Sequence, residues 1–64
     1  MNTDEFIEQE LRGIRDGFDL SQIRSEVLIY TLKQCIGILS LDATIDRAMK
    51  LYAEIINRAI DEKK

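Results

Sequence analysis

Three guanidinium groups and two hydroxyls gather around one short turn. Arg12 and Arg15 precede the stretch Gly17-Phe18-Asp19-Leu20-Ser21, and Arg24 and Ser25 follow it. If a helix starts at Leu20, its first backbone N–H groups and the positive end of its dipole lie among these side chains. Arg12, Arg15, Ser21, Arg24 and Ser25 are then donors suited to a phosphate or another anion. The ligand that fits is a small phosphorylated or nucleotide-like molecule held between protomers. Asp16 and Asp19 stand in the same stretch and repel such an anion unless they turn away. Asp19 can also cap the helix itself, which is the simpler use of those N–H groups.

Other chemistry is thinner. The chain has no histidine to act as a general base, no glycine-rich phosphate loop and no metal-ligand cluster. It therefore reads as non-enzymatic, and nothing in it implies a cofactor or a metal ion. Cys35 is the single cysteine, so no internal disulfide can form. It lacks a basic neighbour that would lower its pKa, and a buried structural thiol is expected. Tyr30 and Tyr52 border apolar faces; either ring could stack on a base, but packing with the hydroxyl turned to water is the ordinary use. Asp4, Glu5, Glu8 and Glu10 form an acidic run that reads as a solvated helix face, with Glu8 placed four residues before Arg12 for an ion pair.

Charge narrows the partners. Twelve acidic and nine basic residues, well mixed, leave a net charge of −3. That opposes nucleic-acid binding, which needs a net basic face. A DNA-reading helix would also have to offer polar side chains to a groove, and the segment after Asp19 is mostly apolar. No basic stretch leads into an apolar one as in a secretory signal, so a cytoplasmic protein is expected. The Val27–Leu41 run is too short to span a membrane and holds Lys33 and Gln34.

The elements that position these residues are all helices. Proline is absent, and no segment alternates with period two. Helix 1 is expected over about Thr3–Asp16, with Asn2 and Glu5 as a capping box. Ile7, Leu11, Ile14 and Phe18 make its narrow apolar seam, and Gly17 is placed to end it. Gly13 is either a weak point in the last turn or, with Gly17, a small patch open to a partner. Helix 2 is expected over about Leu20–Leu39, opened by a capping box of Asp19 and Gln22, with Gly37 marking a close helix crossing. Helix 3 is expected over about Ala43–Glu62, capped by Ser40 or Asp42 and amphipathic along its length. One continuous helix from Leu20 onward is the alternative. The closing Asp-Glu-Lys-Lys is expected to fray.

Helix 2 is the anomaly. Val27, Leu28, Ile29, Leu32, Cys35, Ile36, Ile38 and Leu39 fill an arc of about 200°, roughly twice the usual apolar stripe. Two amphipathic neighbours cannot cover so wide a face. Energy points the same way: burial supplies about 98 kcal/mol at about 25 cal/mol per Å², while ordering the chain costs about 96 kcal/mol. A monomer is thus marginal, and a second copy is the simplest cover. Val27, Leu28, Leu32, Cys35, Ile36 and Leu39 are the candidate oligomer interface. The expected fold is all-α within one small domain. A short N-terminal helix is followed by an antiparallel helical hairpin, assembled as a homo-oligomeric helical bundle. The expected function is a small regulator, inhibitor or adaptor that binds another protein.

Overall fold

The computed structural model describes residues 2–62; of the closing Asp-Glu-Lys-Lys expected to fray, Asp61 and Glu62 are instead part of the last helix, and Lys63 and Lys64 lie outside the described residues. Among the described residues there are three helices and no strand: α1 (Thr3–Arg15), α2 (Leu20–Cys35) and α3 (Leu41–Glu62). The chain is all-α, as its patterning requires.

Each helix start is encoded locally. Asn2 is extended, and its side chain accepts a 2.8 Å hydrogen bond from the Glu5 N–H; the reciprocal half of the expected capping box is replaced by a side-chain bond from Asn2 Nδ2 to Glu5 Oε1 at 3.2 Å. Asp19 accepts from the Gln22 N–H at 2.9 Å while the Gln22 side chain accepts from the Asp19 N–H at 3.2 Å. Both halves of that capping box are therefore made. The Ser40 hydroxyl accepts from the Ala43 N–H at 3.1 Å, and its carbonyl accepts from the Thr44 N–H and hydroxyl. Ser40, rather than Asp42, caps α3, which begins at Leu41, earlier than the pattern indicated.

The helix ends differ more from expectation. Arg15 closes α1, and Gly17 follows with φ +97°. The Phe18 N–H reaches back to the Gly13 carbonyl, and the Gly17 N–H reaches Ile14, the paired bonds of a Schellman motif. The end of α2 was expected near Leu39, but the helix stops at Cys35. Ile36 turns to φ −61°, ψ 129°, Gly37 takes φ +78°, and the Ile38 N–H bonds the Cys35 carbonyl at 3.0 Å. This is a type II turn, whose third residue needs a positive φ and so favours glycine. Gly37 is a turn residue and not a helix crossing, since no atom lies within 4 Å of where its Cβ would stand. One continuous helix from Leu20 is ruled out by the same turn. The pattern misled because the turn is written Ile-Gly-Ile, with apolar residues where polar ones are usual.

The core draws on all three helices. Phe6, Ile7 and Leu11 of α1 pack with Ile23 and Val27 of α2 and with Ala48 and Ile55 of α3. Burying an isoleucine or phenylalanine fully contributes roughly 1.5–3 kcal/mol, so these few side chains carry much of the stability. On α2 the buried positions are Ile23, Val27, Thr31 and Cys35, one residue per turn. Across the α1–α2 seam the Phe6 and Tyr30 rings stack with centroids 4.0 Å apart and planes 6° from parallel. The Tyr30 hydroxyl stays at the surface, accepting from Gln34 at 2.8 Å and lying 3.3 Å from the Thr3 hydroxyl. Arg15 pairs with Glu62, joining the end of α1 to the end of α3. The molecule measures 38 × 19 × 19 Å, and α3, at 22 residues and about 1.5 Å per residue, sets the long axis.

Candidate interaction surface

The six candidate interface residues divide into two groups. Val27 and Cys35 are buried by the chain's own helices, and Leu28 is half-buried against the same core. Val27 and Cys35 face inward, while Leu28 also lines a surface groove with Ser21, Arg24 and Tyr52. Leu32, Ile36 and Leu39 remain outside. The apolar arc of α2 is narrower than the sequence implies, because Ile36, Ile38 and Leu39 lie beyond the helix end and do not share its wheel. α1 and α3 cover the stripe through Ile23, Val27, Thr31 and Cys35, while Leu20, Ile29 and Leu32 of α2 stay exposed.

The most exposed large apolar side chains lie in the connection between α2 and α3 and at the first residue of α3. Ile36 and Ile38 are each 77% exposed, and Leu41 is 66% exposed. Leu32 stands one turn before Ile36, and Ile45 one turn after Leu41, and both are exposed too. An apolar connection of this kind differs from the polar loops that ordinarily join helices. Its flank is polar: Arg47 borders Ile38 and Leu39, and Asp46 and Lys50 lie beside Leu39 and form a 3.0 Å ion pair. An apolar centre with a charged edge is the anatomy of a protein–protein contact. The folded chain exposes 4608 Å², against roughly 4,200 Å² expected for a compact monomer of its mass.

The arginine and serine constellation is split apart. Arg15 is engaged by Glu62, whose hydrogen bond and charge raise the guanidinium pKa further. Arg12 lies on the outer face of α1 beside Asp4, Glu5, Glu8 and Gln9, and the expected Glu8–Arg12 ion pair does not form among the described residues. Ser21, Arg24 and Ser25 do come together, in a shallow groove completed by Leu20, Leu28 and Tyr52. The helix N-terminus beside them is already occupied. The Ser21 hydroxyl donates to the Asp19 carboxylate at 2.7 Å, and this bond, followed by that from the Gln22 N–H, holds the Asp19 pKa below its ordinary value. An ionised carboxylate thus fills the position an anion would take.

Gly13 and Gly17 do not form an open patch. The Phe18 ring lies directly on Gly13, so the chain covers that glycine itself.

One residue of chemical interest escaped the acidic-run reading. Glu10 is 1% exposed, and its Oε1 has no hydrogen-bond partner. Burial, and then a hydrogen bond to Glu26 and the charge of Glu26, push its pKa up to about 8. The helical wheel carried the signal: at about 100° per residue Glu10 falls between Phe6 and Ile14, inside the apolar seam. The Thr31 hydroxyl on α2 is also buried without a partner.

No group of three or more potential metal ligands comes together among the described residues, and no helix there is long and apolar enough to cross a membrane. Comparison with known proteins gives no match among family models, curated proteins or solved structures.

Proposed function

We propose that this chain is a non-enzymatic protein–protein interaction module, a small regulator, inhibitor or adaptor that works as a helical homo-oligomer. In this reading α2 and α3 form an antiparallel hairpin, and copies of the chain meet at its turn. The observation that carries the reading is the exposed apolar run through Leu32, Ile36, Ile38, Leu41 and Ile45. Exposed apolar side chains in such number are an aggregation liability on a monomer and suit a contact surface in an assembly. Each isoleucine buried there contributes roughly 1.5–3 kcal/mol, enough for a few of them to hold a dimer at micromolar concentration. Sedimentation tests it. Wild-type protein should run as a dimer or larger particle, and the double substitution Ile36→Asp with Ile38→Asp should give a folded particle of 7.4 kDa. A wild-type protein that sediments at 7.4 kDa across the micromolar range overturns the proposal.

A second reading rests on the groove that brings Ser21, Arg24 and Ser25 beside Tyr52. Arg24 forms no ion pair among the described residues. A nucleotide-like ligand could set its phosphate against Arg24 and its base against Tyr52. A thermal shift with a nucleotide that disappears in Arg24→Ala would support this reading, and no shift with any nucleotide removes it.

A further inference from the structure

We propose that Glu10 and Glu26 share a single proton across the α1–α2 seam, and that losing this proton loosens α1 from the other two helices. Glu10 lies one turn beyond Phe6 on α1, and Glu26 one turn before Tyr30 on α2. The carboxyl pair is therefore the rung next to the stacked rings. Glu10 is 1% exposed and its Oε1 has no partner, while Glu26 is half-buried on the facing helix and lines a groove with Phe6 and Gln9 of α1.

The charged groups around the seam leave a second negative charge without compensation. On α1, Glu8 and Arg12 are exposed on the outer face. On α2, Lys33 borders the same outer groove as Glu26 but stands two turns away beyond Tyr30, while Arg24 lines the groove beside Tyr52. On α3, Asp46 pairs with Lys50, Glu54 with Arg58 and Glu62 with Arg15, and Asp42, Arg47 and Asp61 are exposed. Glu26 is the group whose charge bears on Glu10.

With one proton, the Glu10 O–H donates to the Glu26 carboxylate, a strong charge-assisted bond. Without it, two like charges face each other in a partly dry seam, which favours separation. The element that yields is α1. At 13 residues it is too short to persist alone in water. The sign follows from the two protonation states. An exposed glutamate titrates at 4.5 and Glu10 at about 8, so the folded state holds the extra proton between those values. This contribution to stability is complete below about pH 4.5 and is lost as pH rises through about 8.

The test compares wild type with Glu10→Gln, whose amide N–H donates to Glu26 at every pH. Thermal unfolding and amide hydrogen exchange, corrected for intrinsic rates, are followed from pH 5 to pH 9. In wild type the midpoint should fall across this range, and α1 amides should lose at least about tenfold more protection than α3 amides. In Glu10→Gln both trends should flatten. Should that variant fail to fold, the carbon-13 shift of the wild-type Glu10 carboxyl decides by itself, with a midpoint near 8 expected. A Glu10 carboxyl titrating between 4 and 5, or an undiminished fall in Glu10→Gln, overturns the proposal.

Discussion

Phe18 lies against Gly13 so closely that a Cβ on residue 13 would stand 2.8 Å from the ring's Cδ2. The contact closes the Schellman motif at the end of α1 and explains a glycine that helix propensity alone would disfavour. Ordinarily Gly→Ala inside a helix stabilises by about 1 kcal/mol. Here the new methyl must displace the ring. Gly13→Ala should therefore destabilise by about 1 kcal/mol in wild type, yet stabilise by about 1 kcal/mol in a Phe18→Ala background. Urea unfolding of the four proteins of this cycle checks the change of sign.

Gly37 is required for a different reason. Its φ of +78° sits at the third position of a tight turn with open space around it. Gly37→Ala should cost about 1–2 kcal/mol through backbone strain, and Gly37→Asn should cost distinctly less. Thermal unfolding of both variants distinguishes strain from a steric clash, because a clash would penalise the larger asparagine more.

Thr31 places a buried hydroxyl on α2 without a partner. Removing an unsatisfied polar atom while keeping the shape is favourable. Thr31→Val should stabilise by about 1 kcal/mol, and denaturant midpoints read the gain directly.

Ile55 and Ile60 lie on the same helix, but one is fully buried and the other is 52% exposed. Ile55→Ala should cost about 2–5 kcal/mol, enough to unfold a small domain, while Ile60→Ala should cost under about 1 kcal/mol. Circular dichroism at 25 °C separates the two outcomes without a full titration.

Much of this fold is legible in the sequence because its signals are local. Asn2, Asp19 and Ser40 each satisfy backbone donors a few residues on, and a reader can see both partners in one glance. The break after Cys35 was harder, since Ile36 and Ile38 argue for a helix while Gly37 alone argues for a turn. Because Ile36, Ile38 and Leu39 lie beyond the end of α2, they do not share a helical face with Val27. Glu10 was misplaced for the opposite reason. Its type implies water, and only its position between Phe6 and Ile14 shows that it is buried. Of the arginine and serine cluster, Ser21, Arg24 and Ser25 share one groove, while Arg15 reaches Glu62 near the other end of the chain, because nearness in sequence is not nearness in space.

The self-sufficient caps have a kinetic consequence. Apart from Thr3–Tyr30, Arg15–Glu62 and the Glu10–Glu26 contact, the described side-chain hydrogen bonds join residues at most four positions apart. Little loop closure has to precede the contacts that reward it, which places the chain with the fast, low-contact-order helical folders that reach the native state in microseconds to milliseconds. Folding of the chain should then be complete before separate chains meet by diffusion at micromolar concentration, so that the Ile36–Leu41 corner is presented to any neighbour as a finished surface.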